Sequence, residues 1–337
     1  MTEIEADLTL SLAEAQDYVV KALIERKTSE PNARSVATAL VSAEADGLRG
    51  HGLTRLTSYA AQSESGKVDG FAVPTEEDRA PTIIAIDAGN GFAYPALDLA
   101  LSRLPNRARV FGMAAAPIRK SHHCGAVGQV VENLARSGFA AIMFANAPHC
   151  IAPWGGSEAV FGTNPIAFAT PTAGDDPIVI DLSVSKVARG NILKAANEGT
   201  PIPEGWALSK AGQPTTDAKE ALDGTMIAMG GAKGTALALM VEIFSGALTM
   251  ANFSFQATSF FTGEGDPPGT GQFVLAFDPE AFAGTEYKAK LSELTDRITS
   301  QDGARLPGMR RFENRRKAEH DGITLPRDVR AKFGDLD

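Results

Sequence analysis

His51 and Arg55 stand four residues apart in the stretch Arg49-Gly50-His51-Gly52-Leu53-Thr54-Arg55. If a helix has begun by then, the two side chains share one face and place a titratable imidazole beside a permanently charged guanidinium. That pair suits chemistry on a small acid, because Arg can grip a carboxylate through two parallel hydrogen bonds and His can pass a proton near neutral pH. A solvated helix face carries the same residues, and spacing alone favours that plainer reading.

The densest polar cluster is Lys120-Ser121-His122-His123-Cys124-Gly125-Ala126-Val127-Gly128, between a strand-like run and a helical one. Free N–H groups and a partial positive charge at a helix start suit a phosphate or a carboxylate, and glycine lets the backbone approach closely. A polar loop with a helix cap fits equally well. His122, His123 and Cys124 could join His149-Cys150 in an N/S zinc site, but adjacent side chains of an extended segment point to opposite faces, and no C-x-x-C or H-x-x-x-H spacing occurs. No metal is expected.

Two further loops are rich in turn residues: Ala152-Pro153-Trp154-Gly155-Gly156 and Phe161-Gly162-Thr163-Asn164-Pro165. Gly230-Gly231-Ala232-Lys233-Gly234 opens a helical run, yet Gly234 follows Lys233 where a phosphate-binding loop needs Ser or Thr. That excludes a P-loop nucleotidase and leaves a cation at a helix start, able to face an anionic cofactor. The basic run Arg310 to Lys317 is either a solvated face or a phosphate contact. Gly89-Asn90-Gly91 has Tyr94 where the dinucleotide fingerprint G-x-G-x-x-G needs its third glycine, so it reads as a plain turn.

The elements that must carry these residues follow from periodicity. Ser11 and Glu14 form a capping box ahead of Leu12, Ala15, Val19, Leu23 and Ile24 at helical spacing. A second helix, capped by Asn32, buries Val36, Leu40 and Ala43 and stops at Gly47; the chain then turns into another helix by Arg55. Ser63 to Gly70 reads as a loop. Strand-length apolar runs recur at Ile83 to Asp87, Val110 to Ile118, Phe139 to Asn146, Pro165 to Ala169, Ile178 to Leu182 and Gln272 to Phe277. Helical stretches occupy Val127 to Arg136 and about Lys233 to Thr249. The irregular order predicts an α/β chain of the α+β type, with a mixed or mainly antiparallel sheet and helices outside. Gly199 to Asp223 looks like an ordered excursion, Gly263 to Gly271 a turn or mobile loop, and the chain past Asp278 helical.

Net charge is −9, from 32 Lys+Arg against 41 Asp+Glu, which argues against nucleic acid or an anionic membrane as partner. The acidic start (Glu3, Glu5, Asp7) and the lack of a run of ~20 apolar residues predict a cytoplasmic protein. Cys124 and Cys150 are the only cysteines and read as free thiols.

On these residues the chain resembles the type 2 malate/L-lactate dehydrogenase family, which includes sulfolactate dehydrogenase and the Δ1-pyrroline-2-carboxylate/Δ1-piperideine-2-carboxylate reductases. The matching blocks are ADGLRGHGLTRL, KSHHCGAVG, FANAPHCIAPWGG, FGTNPIAFATPT, IDLSVSKVARGN, EGWAL with GQPTTD, MGGAKGTALALMVE and RLPGMRR, in one order from residue 45 to 311. The resemblance implies a homodimer with a non-Rossmann dinucleotide-binding domain, divided as 1–105 (N-terminal helical and substrate region), 106–285 (NADPH-binding sheet domain) and 286–337 (C-terminal helical segment). It implies His51 as proton donor, Arg55 as the ligand of the substrate carboxylate, and Thr163, Arg189 and Gly190 as further substrate contacts. His123, Cys124, Gly125, Ala126, Val127, Asp181, Leu182, Ser183, Lys233, Gly234, Arg305, Leu306, Pro307, Gly308, Arg310 and Arg311 match cofactor-lining positions.

The imine reductases typically carry Ser before the catalytic His and Asp after the Arg-Gly pair; here Gly50 and Asn191 stand there. Asn191 can orient an imidazole but cannot stabilise its cation by charge. The KSHHCG and FANAPHCIAPWGG blocks look closer to the pyrroline/piperideine branch, so the expected reaction is reduction of a cyclic 2-imino acid by NADPH, with NADH as the alternative cofactor. A malate- or lactate-type 2-hydroxy-acid dehydrogenase is the second reading. A non-catalytic zinc- or ligand-binding protein is the third.

Overall fold

The computed structural model describes residues 8–335, so the acidic stretch at Glu3, Glu5 and Asp7 lies outside the described residues. The capping box forms as expected: the Glu14 carboxylate accepts from Ser11 N at 2.8 Å, Glu14 N donates back to Ser11 Oγ at 3.2 Å, and the helix runs Leu12–Ile24. The second helix, Glu30–Ala45, differs at its start. Its N-cap is Ser29, because Pro31 fits the first turn, where no N–H is needed. Asn32 therefore sits inside the helix, and its amide donates to Gly70 O and Ala72 O, both at 2.9 Å.

These helices bury Val19, Leu23, Val36 and Leu40 in one core with Leu53, Leu56 and Tyr59, and with Ile323, Leu325 and Val329 from the C-terminal end. The two ends of the chain thus share a core, and the short strands Thr9–Leu10 and Ile323–Thr324 pair antiparallel beneath it.

A second core lies on a seven-stranded sheet, in the order Thr75–Ala80, Ile83–Asp87, Met113–Ser121, Thr270–Phe277, Ala140–Ala145, Ile166–Thr170 and Ile178–Leu182. Every pairing is antiparallel except that of Ile83–Asp87 with Met113–Ser121. That parallel pair needs a crossover, and the helix Ala93–Phe111 supplies it. The run expected as a strand from Val110 is therefore divided: Val110 and Phe111 end the helix, Gly112 (φ 82°) breaks it, and the strand begins at Met113. Small residues on one sheet face (Ala114, Ala116, Ala141, Ala145, Ala167, Ala276) let the helices Ala93–Phe111 and Val127–Arg136 pack close. Each fully buried Leu or Ile in this layer contributes about 1.5–3 kcal/mol relative to exposure. The edge strand Thr75–Ala80 is polar up to its last residue and so carried no apolar signal; Glu76 pairs with Arg103 instead.

Residues 199–223 are ordered, with short strands at Ala207–Leu208 and Pro214–Thr215 and a helix at Ala218–Asp223. The helix Ala232–Glu242 continues into a single π-helical turn, Ile243–Ala247. Past Asp278 the chain is helical at Pro279–Ala283, Tyr287–Thr299, Met309–Asp321 and Arg327–Phe333. No helix among the described residues is long and apolar enough to cross a membrane.

Candidate active site

His51 and Arg55 lie on two successive 3₁₀ turns, Arg49–His51 and Leu53–Arg55, and not on a regular helix face. The buried Glu44 side chain anchors this path. Its carboxylate accepts from Leu53 N at 2.9 Å, and a Cβ on Gly52 would fall 2.2 Å from Glu44 Oε2, so a side chain there would displace that carboxylate. The turns nevertheless deliver both side chains to one place. The His51 ring stacks on His123 with centroids 5.4 Å apart and planes 12° apart. Arg55 Nε donates to Gly50 O at 2.7 Å, and its guanidinium lies 4.6 Å over the Phe261 ring.

The electrostatics of this pair follow from its burial. His51 Nδ1 and Arg55 Nη1 are both buried without a partner. Desolvation first, and the Arg55 charge second, pull the His51 pKa from 6.5 down to about 4, while Asp181 opposes weakly. The imidazole is thus neutral at physiological pH, beside a guanidinium with an open donor.

The His-His pair divides its work. His122 is buried, and its Nε2 meets Gln62 Oε1 at 2.9 Å; burial, then Arg55 and Lys67, lower its pKa to about 3. His123 faces the site, with Nδ1 2.5 Å from the Tyr59 hydroxyl, which in turn lies 2.9 Å from that of Tyr94. Phe260 packs against both imidazoles, at 5.3 and 5.2 Å. Its backbone is pinned by Gln62 Nε2, which donates to Phe260 O at 2.9 Å, and Lys67 Nζ donates to Ser259 O at 2.7 Å and to Thr262 O at 3.0 Å. Tyr59, Gln62, Tyr94, Phe260 and Phe261 were all missed in sequence. The one available signal was Phe260-Phe261, two aromatics in an otherwise turn-rich stretch.

The expected cofactor-lining residues beyond His123 fall into four groups. Cys124, Gly125, Ala126 and Val127 lead from His123 into the helix Val127–Arg136, where burial pushes the Cys124 thiol up to about 12. Gly125 (φ 64°) passes so close to Tyr94 that a Cβ would lie 2.6 Å from its hydroxyl. Asp181 faces this helix start and accepts from Gly128 N and from Arg311, both at 3.0 Å; Leu182 beside it is exposed, and Ser183 bonds Ser185 at 2.8 Å. Gly308 (φ 89°) packs on Val179 of the same strand, a Cβ there coming within 3.1 Å of Val179 O, and so brings the loop of Arg305, Leu306 and Pro307 alongside.

Arg310 is exposed, whereas Arg311 is buried and engages Asp46 and Glu132 as well as Asp181. Lys233 is exposed on the first turn of Ala232–Glu242, and Gly234 is buried where a Cβ would strike Met229 O at 1.9 Å.

Of the expected substrate contacts, Thr163 is tied to the end of the Asp181 strand, its carbonyl accepting from Val184 N at 2.8 Å. Arg189, Gly190 and Asn191 open the helix Arg189–Glu198 and are exposed. Among the described residues Asn191 makes no side-chain hydrogen bond to His51, whose Nδ1 stands alone. No group of three metal-ligating side chains occurs among the described residues.

The malate/L-lactate dehydrogenase family matches residues 10–333. The chain belongs to that family. This member is therefore an oxidoreductase, and its mainly antiparallel sheet accounts for the missing glycine fingerprint. It is 47% identical to a (2R)-3-sulfolactate dehydrogenase (NADP+) of Chromohalobacter salexigens, over 95% of each chain. It is 38% identical to a Δ1-pyrroline-2-carboxylate/Δ1-piperideine-2-carboxylate reductase of Pseudomonas syringae pv. tomato, over 94% of this chain and 93% of that one. The crystal structure of Δ1-piperideine-2-carboxylate reductase from the same organism superposes with a TM-score of 0.91 at 37% identity, covering 97% of this chain and 98% of that one.

Proposed function

We propose that this dehydrogenase interconverts a small 2-hydroxy acid and its 2-oxo acid with a nicotinamide cofactor, NADP(H) before NAD(H), and that sulfolactate heads the substrate class. One observation carries the reading: the His51 imidazole, its buried Nδ1 unpartnered, lies beside an Arg55 guanidinium whose buried Nη1 is unpartnered too. A neutral imidazole accepts the proton of a hydroxyl as that carbon is oxidised, and Arg55 holds the carboxylate that marks the substrate. The higher identity to the sulfolactate dehydrogenase than to the imine reductase agrees with it. So do Gly50 and Asn191, which leave His51 without the Ser and Asp of the imine-reductase pattern.

The cofactor fits the residues present. The exposed cations Lys233, Arg305 and Arg310 suit a dinucleotide's phosphates, with Arg310 a candidate for a 2′-phosphate, whereas at the start of Val127–Arg136 the Asp181 carboxylate already accepts from Gly128 N. When bound, the nicotinamide gives or takes the hydride; the protein binds, orients and moves the proton.

Reduction of a cyclic 2-imino acid is the second reading, favoured by the superposition on the piperideine-2-carboxylate reductase. A panel of sulfolactate, malate and lactate with NADP+ and NAD+, run against Δ1-piperideine-2-carboxylate and Δ1-pyrroline-2-carboxylate with NADPH, decides between them. A kcat/KM for sulfolactate at least about tenfold above the others supports the first reading. Preference for an imino acid selects the second, and no turnover of any of them removes both. The assembly we propose is a homodimer, which light scattering on the eluting protein tests.

A further inference from the structure

We propose that Tyr59 is a positioning residue that locks His123 as its neutral Nε2–H tautomer, so that His123 offers a fixed hydrogen-bond donor beside His51. The inference rests on proton counting in the chain Tyr94–Tyr59–His123. Tyr59 is fully buried and Tyr94 is 5% exposed. Their hydroxyls contact each other at 2.9 Å, Tyr59 reaches His123 Nδ1 at 2.5 Å, and neither has another partner among the described residues. Gly125 closes over the Tyr94 hydroxyl.

Two hydrogen bonds therefore join three groups. If His123 carries its proton on Nε2, the Tyr94 hydroxyl donates to Tyr59, the Tyr59 hydroxyl donates to Nδ1, and both protons are used. If Nδ1 carries the proton, three donors compete for two bonds and one buried hydroxyl proton has no acceptor, an arrangement that costs free energy. Protonating both ring nitrogens leaves the same surplus.

The neighbouring histidine obeys similar logic. The Gln62 amide spends its two protons on Ser58 O and Phe260 O, so its oxygen must accept, and His122 Nε2 must be the donor. His122 spends that donor inside the protein. His123 does not: its Nε2 has no partner among the described residues and is not among the buried unpartnered atoms, so it stays open to the site, on a ring held parallel to His51. Its use in the reaction rests on the functional reading above; the tautomer itself does not.

The test is a long-range ¹H–¹⁵N spectrum of the whole protein labelled at histidine, with His123 assigned by comparison with His123→Gln. A bare Nδ1 and a protonated Nε2 are expected. Tyr59→Phe, which removes only the locking hydroxyl, should give mixed tautomers and lower kcat by roughly tenfold to a hundredfold with the dissociation constant for NADPH unchanged. Tyr94→Phe should keep the tautomer, because the Tyr59 proton still needs Nδ1; it also serves if Tyr59→Phe does not fold. A protonated Nδ1 in the wild type, or a Tyr59→Phe protein with unaltered tautomer and kcat, overturns the proposal. The expected tautomer in a protein that turns over none of the candidate acids keeps the lock but overturns its catalytic use and the functional reading with it.

Discussion

Acid should destabilise this protein through its buried histidines, and His122 lets that effect be isolated. The ring is 1% exposed and its pKa is lowered to about 3, chiefly by desolvation, whereas an unfolded histidine titrates near 6.5. Below pH ~6.5 the unfolded chain binds a proton at this residue that the native state refuses, so native stability falls with the pH until the folded pKa is reached. Between pH 7 and pH 5 the ratio of unfolded binding polynomials at that site changes by about 25-fold, which is about 2 kcal/mol. Glu44, Asp46 and Asp98 have pKa values raised by burial and act with the opposite sign, so the wild-type pH profile alone mixes the two. The difference between wild type and His122→Gln separates them, because glutamine can still donate to Gln62 and does not titrate. Urea unfolding at pH 7, 6 and 5 should show the wild type losing about 2 kcal/mol more than the variant across that range. Equal losses in the two proteins would mean that His122 titrates normally in the native state, and the account of a dry histidine pair beneath the site would be wrong.

Arg55→Ala should lower kcat/KM for carboxylate substrates by roughly 30-fold or more, because a desolvated charged contact is worth about 2–5 kcal/mol; Arg55→Lys should recover only part of it, and an unchanged KM would refute the carboxylate role. His51→Gln should reduce kcat by about 10²–10⁴ while leaving NADPH binding measurable by fluorescence, and wild-type turnover would remove His51 from proton transfer. Arg315 donates to Asp46 at 2.8 Å and to Glu132 at 2.6 Å, both acids buried, so Arg315→Ala should cost about 3–5 kcal/mol in urea unfolding; a loss below about 1 kcal/mol would show that the network is hydrated.

Much of the architecture was legible where local chemistry alone decides. The Ser11–Glu14 box and the helix Val127–Arg136 required no knowledge of neighbours, and the strand Ile178–Leu182 appeared with its own bounds. The failures share one cause, which is that a distant partner overrides a local signal. Ala93–Phe111 contains Pro105, Asn106 and three arginines and does not announce a helix, yet the sheet beneath it rewards Leu97, Ala100, Leu104 and Ala108 at helical spacing. Asn32 has the chemistry of a cap, but Gly70 and Ala72 claim its amide. In the site, His51, Arg55 and the His-His pair were visible as chemistry-bearing types. Gln62 and Phe260, 198 positions apart, were not, since only folding brings an amide to that carbonyl.

The site lies between the two cores. Leu53, Leu56, Tyr59 and Tyr94 belong to the core shared by the chain ends, whereas Cys124, Val127 and Val179 belong to the core of the sheet. A seam between two independently packed layers is where polar side chains can stay dry without being buried inside either. Across that seam Asp46, three residues ahead of the first 3₁₀ turn, meets Arg311 and Arg315 from the helix Met309–Asp321, and these meet Glu132 and Asp181 of the sheet layer. The turn that carries His51 and the strand that carries Asp181 are thereby referred to one buried charge network. Loosening that network should displace the imidazole relative to its neighbours before it unfolds either core, so in a partly destabilised variant such as Arg315→Lys turnover should decline ahead of the unfolding transition.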